Sequence, residues 1–478
     1  MKKSLLTLAM LFLCGYSQAQ NSRSQDLITK SQAQATKRML FEINGSTDHS
    51  LKVDGFTDAR EFTVRRGLPN FFSKCAQGKD VTVAYIGGSI TQNSHMYRSQ
   101  CADYLASLFP NVKMTGVNAG VGGTGSELGT CRLDRQVLAF NPDLVFVEFA
   151  VNGSHAPGVE GIVRQIIRHN PKCDICIIYT IYGGQSEIYG KGEIPSNIER
   201  LEKVAIHYNL PSVHMGMWSG YLLNEDKLLW SAPKGYKGDK IIFTKDGVHP
   251  TEAGGDLYAT AVARAFEAMK DNRADEPQKL IEPLLANQMD RGTFISPGEA
   301  LRSAKGWTVT RCDEIPSIKR FGQWFDLVAT AEAKCEPYRF KFKGDFLGVY
   351  NFGAPDAGAI DVIINGKKIV PSKYNHNRKV IAFDFVDRND PRPSIYSFNP
   401  YSSIYRSQYE CIDLKEGVYD VEIYPHAKRI DKAKIVEEYI KSGKKSNIPL
   451  KNGKLPAEYK PQIVRLGWIM INGEELER

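Results

Sequence analysis

The sequence predicts a three-layer α/β domain with a parallel sheet, followed by a C-terminal antiparallel β-sandwich domain. From about residue 80 to 270, short uninterrupted apolar runs alternate with helical stretches, which is typical of parallel strands covered on both faces. From about residue 300 the apolar residues recur at every second position instead, as in strands with one buried face. Two Asn-Gly pairs in this second part add the signal of tight hairpin turns.

The chain begins with the pattern of a secretory signal peptide over residues 1–19. A charged start is followed by a short apolar run and by small residues, so we expect cleavage after Ala19 and a secreted or periplasmic protein. Residues 20–75 form an N-terminal arm that could pack on either domain. We place the α/β domain at 76–275, an acidic, proline-containing linker at 276–299 and the sandwich at 300–478.

The predicted elements of the first domain follow in chain order. Buried strands are expected at residues 81–86, 144–149 and 177–181, and helices at about 93–108 and 196–208. In the second domain, strands are expected at 338–343, 359–364, 418–424 and 468–471. The second of these runs into a turn at Asn365-Gly366, and the last should end at Asn472-Gly473.

Charge and cysteine content exclude several classes of function. The formal net charge of +8 falls to +6 without the two signal-peptide lysines, a small excess that does not indicate nucleic-acid binding. Nothing after the signal is apolar enough to be an integral membrane segment. Eight cysteines would remain, and Cys173 and Cys176 form a CxxC without the second ligand pair that zinc needs. We therefore expect no metal and no cofactor.

Ser89 is the candidate nucleophile. It follows the first predicted strand in the segment Gly87-Gly88-Ser89 and precedes a helix, at the edge where ligand sites form in parallel sheets. A helix N-terminus also presents unpaired amide groups, so the Ser89 backbone could stabilise a developing oxyanion. Taken alone, the segment could equally be a plain Gly-Ser helix cap.

Asp246 and His249 could supply the base that a serine needs. A serine hydroxyl is a weak nucleophile at neutral pH, and the carboxylate of Asp246 can fix the tautomer of a histidine three residues later. The free ring nitrogen of His249 would then accept the serine proton. Alone, this spacing is also common in surface turns.

Two further segments offer donors for an oxyanion. The glycine-rich stretch 120–125 follows Asn118, and consecutive glycine amides can form an anion-binding concavity. Asn152 follows the strand at 144–149, where its side-chain amide could donate to the same oxygen.

Together these four groups, in the order Ser, Gly, Asn and His, resemble the SGNH or GDSL hydrolase family over residues 80–270. The resemblance implies an SGNH-type fold with Ser89, His249 and Asp246 as catalytic residues. It also implies an oxyanion hole made of the Ser89 and Gly123 amides and the Asn152 side chain, with Gly122 as an alternative to Gly123. Two departures mark a divergent branch: Gly88 replaces the aspartate of the Gly-Asp-Ser block, and Ala150 and Gly153 replace the first and last residues of Gly-x-Asn-Asp.

The function expected from the resemblance is a secreted serine esterase acting on O-acyl groups, in the first place O-acetyl groups of a polysaccharide or other glycan. Tyrosines of the second domain that could stack on sugars are Tyr396, Tyr401 and Tyr405. A lipid or lysophospholipid esterase is one alternative, with residues 218–230 as a lid or pocket wall. The others are a non-catalytic glycan-binding protein and a dinucleotide site at Gly120–Gly125 with Glu148 as its acidic residue.

Overall fold

The structure is a computed structural model that describes residues 39–43, 51, 53–302, 304–332, 334–375 and 380–477. The predicted signal peptide, residues 1–19, lies outside the described residues. In the described part, the chain forms one sheet of seven strands, a second sheet of ten strands and a separate two-stranded pair. The helical and the all-β parts follow one another along the chain, so the predicted fold class is confirmed.

The seven-stranded sheet has five parallel strands at its centre and one short antiparallel strand at each edge. The strand order is β1-β4-β3-β5-β6-β7-β2. The strands are β1 (Leu40–Ile43), β2 (Phe62–Thr63), β3 (Val81–Gly87), β4 (Met114–Gly120), β5 (Leu144–Glu148), β6 (Asp174–Tyr179) and β7 (Ser212–His214). Strands β3, β5 and β6 are almost entirely buried, which explains their continuous apolar sequence.

Helices cover this sheet and complete the α/β domain. They are α1 (Pro69–Ala76), α2 (Ser89–Gln92), α3 (Arg98–Leu108), α4 (Ser126–Gln136), α5 (Ala156–His169), α6 (Gln185–Gly190), α7 (Ser196–His207), α8 (Met217–Asn224) and α9 (Glu252–Met269). A parallel pair of short strands, β8 (Leu228–Ser231) and β9 (Ile241–Thr244), leads into the turn before α9. No helix among the described residues is both long and apolar enough to cross a bilayer.

The second sheet is antiparallel throughout and forms the β-sandwich. Its strands are β10 (Gly292–Ile295), β11 (Trp307–Arg311), β12 (Leu327–Ala331), β13 (Tyr338–Gly353), β14 (Ala359–Ile364), β15 (Lys367–Asn375), β16 (Val380–Val386), β17 (Ile395–Tyr396), β18 (Arg406–Pro425) and β19 (Val464–Leu476). Two further helices are α10 (Pro297–Ala300) and α11 (Lys432–Lys441). Side chains of β12 and β14, four places apart in the strand order, share one apolar core, so the sheet folds over on itself.

The two Asn-Gly pairs have different structures. Asn365 and Gly366 both have positive φ, 49° and 78°, and form the predicted turn between β14 and β15. The prediction that the last strand ends at Asn472-Gly473 is wrong, because β19 continues to Leu476 and pairs there with β13. The Asn472 side chain donates to Asp345 at 2.7 Å across the sheet, so this asparagine stabilises a strand instead of a turn.

The two domains share an apolar core. Val121 and Leu128 of the α/β domain pack with Phe294 and Trp468 of the second domain in one buried cluster. Helix α4 also donates hydrogen bonds from Gln136 to the Trp324 carbonyl at 2.7 Å and from the Thr130 hydroxyl to the carbonyl of residue 289 at 2.8 Å. The interface is therefore a buried apolar cluster of its own, to which both domains contribute side chains.

Residues 276–299, predicted to be a linker, run along the α/β domain. The Gln278 amide donates to the Pro171 carbonyl at 2.7 Å, and Asp290 pairs with Arg164 and Arg168. None of the described cysteines forms a disulfide, and Cys173 and Cys176 are buried. The exact domain boundaries stay a prediction.

Candidate active site

Ser89 and His249 lie in hydrogen-bond contact, although 160 residues separate them in sequence. Ser89 opens α2 directly after β3, and its Oγ is 2.7 Å from Nε2 of His249. His249 lies in the turn between β9 and α9, and its side chain is about one-third exposed. A hydroxyl and an imidazole in this arrangement can pass a proton between them and remain accessible to a substrate.

Asp246 orients the histidine through both of its carboxylate oxygens. Oδ2 is 2.6 Å from Nδ1 of His249, while Oδ1 accepts the backbone amides of Val248 and His249 at 3.0 and 2.8 Å. Partial burial raises the pKa of Asp246, but the hydrogen bonds from His249 and the two amides outweigh it and hold this pKa well below its usual value. The ionised carboxylate therefore fixes both the ring orientation and the turn that carries it.

Trp230 and Gly183 brace the same turn from outside. Both the Trp230 indole N–H and the Gly183 amide donate to the Gly247 carbonyl at 3.2 Å, and Gly247 itself has a positive φ of 88°. The Trp230 ring stacks on Phe243 in β9, with centroids 4.6 Å apart. Sequence reasoning assigned Trp230 only to a lid or pocket wall, because no local pattern links it to residues 246–249.

The glycine-rich loop after β4 lies directly against Ser89. The Gly122 amide donates to the Gln92 side chain at 2.8 Å, which leaves it unavailable to a substrate. Within the described parts of the chain, the amides of Ser89 and Gly123 have no acceptor. Gly123 is exposed and has a positive φ of 74°. The geometry thus favours Gly123 over Gly122 as an oxyanion donor.

Asn152 packs against Gly88, the residue before Ser89. A Cβ atom at Gly88 would lie 2.1 Å from Oδ1 of Asn152. This Oδ1 is buried and has no hydrogen-bond partner in the described part of the structure. The asparagine predicted from the sequence is therefore in contact with the residue that precedes Ser89.

Glu148, at the end of β5, is a buried acid next to the segment that leads into Ser89. Its carboxylate accepts the hydroxyls of Thr91 and Thr180 and the Gly88 amide. Burial raises the pKa of Glu148, and these three hydrogen bonds oppose the rise. Because Glu148 is fully buried and engaged with these groups, it cannot bind a ribose hydroxyl, which removes the basis of a dinucleotide site at 120–125.

The second domain also reaches the glycine-rich loop. The Tyr409 hydroxyl accepts the Gly125 amide at 2.8 Å, and the Cβ position of Gly123 is 3.8 Å from Nη2 of Arg406. Both residues belong to β18. Sequence reasoning missed them because the alternating pattern of a strand does not indicate which distant loop the strand will contact.

A groove of about 820 Å³ opens beside the histidine. Its lining is mixed: polar and charged side chains include His95, Lys245, Asp246, His249 and Glu252, and apolar ones include Met96, Ile242 and Pro250. The described residues contain no group of three or more histidine, cysteine or acidic side chains arranged to hold a metal ion. The groove reaches Asp246 and His249, whereas Ser89 does not line it.

Comparisons with known proteins match the first domain to a family model and match the fold of both domains to solved structures. Residues 85–257 match the model of the GDSL-like lipase/acylhydrolase family. Two crystal structures of a two-domain esterase active on acetylated mannans, one of them with mannopentaose, are each 19% identical to this chain. They cover 85% and 89% of it and 94% and 100% of their own chains, with TM-scores of 0.57 and 0.60. The arrangement of both domains is thus shared.

An acetylxylan esterase from Geobacillus stearothermophilus is 16% identical and covers 40% of this chain and 94% of its own, with a TM-score of 0.30. No curated protein matches the chain in sequence.

Proposed function

Because residues 85–257 belong to the GDSL-like lipase/acylhydrolase family, we propose that this carboxylic ester hydrolase is a secreted serine esterase acting on O-acetyl groups of a polysaccharide or other glycan. The observation that carries the proposal is the continuous line of hydrogen bonds from Ser89 through His249 to Asp246, at 2.7 and 2.6 Å. Secretion rests on the signal-peptide pattern of residues 1–19.

In the proposed mechanism, Ser89 Oγ attacks the ester carbonyl carbon while Nε2 of His249 takes the serine proton. The carbonyl oxygen becomes negative and is stabilised by the amides of Ser89 and Gly123 and by the Asn152 side chain. Collapse of this intermediate releases the sugar hydroxyl, which receives the proton from His249, and leaves an acetyl group on Ser89. Water activated by His249 then releases acetate and restores the serine.

Two observations support a glycan substrate over a lipid. The groove beside His249 contains the charged side chains of Lys245, Asp246 and Glu252, which would lose hydration if a long acyl chain lay against them. Trp218, in the segment considered as a lid, packs against Phe56 and under the Arg264 guanidinium, so it is tied to the domain. The shared two-domain fold with an esterase active on acetylated mannans supports the same choice.

The proposal is tested by acetate release from a panel of acetylated polysaccharides, set against p-nitrophenyl esters of increasing chain length. We expect Ser89→Ala and His249→Ala to lower kcat by about 10³-fold or more, and Asp246→Asn to retain part of the activity. Ser89→Ala should also prevent labelling by a fluorophosphonate probe.

The matched controls are Ser94→Ala and His169→Ala, which alter an exposed serine and an exposed histidine. Both should behave as the unchanged protein, and circular dichroism should show that all variants fold. Full activity of His249→Ala, or a chain that the probe does not label at Ser89, would contradict the assignment. The second result would favour a glycan-binding protein without catalysis.

A further inference from the structure

Arg406 of the second domain lies beside the candidate oxyanion loop. Its Nη2 is 3.8 Å from the Cβ position of Gly123, and the neighbouring Gly122 has its own Cβ position 3.4 Å from Cβ of Ser89. These contacts, from Ser89 through Gly122 and Gly123 to Arg406, place a guanidinium beside the loop that lies against Ser89. Tyr409, three residues further along β18, holds Gly125 of the same loop.

The guanidinium of Arg406 has no counter-charge in the part of the chain that the structure describes. Across the described residues, no carboxylate forms an ion pair with it, and its half-buried side chain has an Nε that is shielded from water and has no acceptor. Arg465 of the same domain, by contrast, pairs with both oxygens of Asp356. Burial lowers the pKa of Arg406, and holding an unpaired charge in this way costs free energy that a bound anion would offset.

The neighbouring groups do not supply that anion. The acid nearest to the other end of the loop is Glu127, whose Oε2 lies 2.2 Å from the Cβ position of Gly125. It is buried without a hydrogen-bond partner among the described residues, and it forms no ion pair with Arg406. The contact that the guanidinium does make is with the face of the Tyr401 ring, at 5.0 Å, and this ring is 40% exposed.

We propose that Arg406 binds the carboxylate of a uronic acid residue next to the acetylated sugar, so that the enzyme prefers acidic acetylated glycans. This inference rests on the proposed function and names its substrate class. A planar guanidinium matches the two oxygens of a carboxylate, and the exposed Tyr401 ring beside it offers an apolar face for a sugar. Arg406 is here a specificity residue that contacts substrate and takes no part in the proton transfers.

The test compares the unchanged protein with Arg406→Gln, Arg406→Lys and the control Arg339→Gln, an exposed arginine on the same domain. The substrates are an acetylated polysaccharide rich in uronic acid, the same polymer with its carboxylates methyl-esterified, and p-nitrophenyl acetate. We expect Arg406→Gln to lower kcat/KM for the acidic polymer by 10- to 100-fold, mainly through KM. Hydrolysis of p-nitrophenyl acetate and of the methylated polymer should change less than two-fold.

Arg406→Lys should recover part of the lost activity, because it keeps the charge without the two-pronged geometry. Equal loss on acidic and methylated polymers would overturn the inference. A loss of kcat on p-nitrophenyl acetate would also overturn it, since Arg406 would then act on the oxyanion or on the loop. Failure of the proposed function is distinct from both, because the unchanged protein would then release no acetate from any of the three substrates.

Discussion

At the scale of single residues, Gly88 explains why this chain departs from the Gly-Asp-Ser block of the family it resembles. The space that a side chain would need at this position is taken by Asn152, whose Oδ1 is 2.1 Å from the Cβ position. The Gly88 amide meanwhile binds Glu148 from below. The side chain of Asn152 thus occupies the space that an aspartate at position 88 would need.

We therefore expect Gly88→Ala to displace the Asn152 side chain and to lower kcat by about 10- to 10³-fold, the range for loss of an oxyanion donor. The change should affect KM for p-nitrophenyl acetate less than kcat, and acetate release together with stopped-flow kinetics measures both. Gly417→Ala is the control, since a Cβ there would make only ordinary contacts of 3.4 Å or more. Unchanged kcat in Gly88→Ala would show that Asn152 tolerates displacement or makes no contribution.

The site was predictable from the sequence to the extent that its signals are local. Ser89, Asp246 and His249 each lie in a short segment next to a strand or turn, and the structure brings them within hydrogen-bond distance. Their chemical roles stay predictions. Glu148 and Arg406 were not recognised as parts of the site, because their positions depend on packing between distant elements that no local spacing indicates.

At the scale of elements, the long strand β18 contains a half-buried acid. Glu410 pairs with Val349 of β13, and burial raises the pKa of its carboxyl to about 7 from 4.5. The folded protein then holds this proton more tightly than the unfolded chain does. The free energy of unfolding should consequently fall as the pH rises from about 4.5 to about 7, and the loss should remain constant above that.

Glu410→Gln should remove this pH-dependent loss of unfolding free energy, because glutamine carries no charge at any of these pH values. At pH 8 we expect the variant to be more stable than the unchanged protein by about 2 kcal/mol or less, since the side chain is not fully enclosed. The difference should disappear below about pH 4.5. Thermal unfolding at pH 8 and pH 4 measures it, with the exposed Glu474→Gln as control. A gain in Tm that is equal at both pH values would contradict this account.

Prediction of elements from the sequence succeeded where burial or a turn dominates the local pattern. The strands β3, β5 and β6 were expected from their apolar runs, and the turn at Asn365-Gly366 from its residue pair. The same pair at Asn472-Gly473 lies inside β19, because cross-strand bonds to β13 and the Asn472 side chain override the preference for a turn. Tertiary pairing of this kind cannot be read from a dipeptide.

At the scale of the whole molecule, the interface between the domains is an apolar core to which both of them contribute side chains. Leu128 and Val121 are buried against the aromatic residues Phe294 and Trp468, and Arg135 lies 4.5 Å from the centre of the Trp468 ring. Separation of the domains would expose these apolar surfaces to water. The loop that contains Gly123 is anchored at this same interface, so the geometry of the candidate site depends on the second domain.

We expect the full chain to unfold in a single calorimetric transition, with equal calorimetric and van't Hoff enthalpies. Leu128→Ala should lower the whole transition, by about 2–5 kcal/mol of unfolding free energy, and should not split it. The exposed Leu280→Ala is the control and should have little effect. Two separate transitions in the unchanged protein would mean that the domains are stable independently of this core.

The two edges of the parallel sheet are both occupied by the segment that precedes it in the chain. Strand β1 pairs with β4 at one edge, and β2 pairs with β7 at the other. Open strand edges are templates for association between molecules. Edge strands as short as β1 and β2 offer few free backbone groups with which a second copy could pair. Strand β2 is synthesised about 150 residues before its partner β7, which ends at His214. The sheet can therefore be completed only after residues 212–214 have been made. Until then the free edge of β6 is exposed to association with other chains.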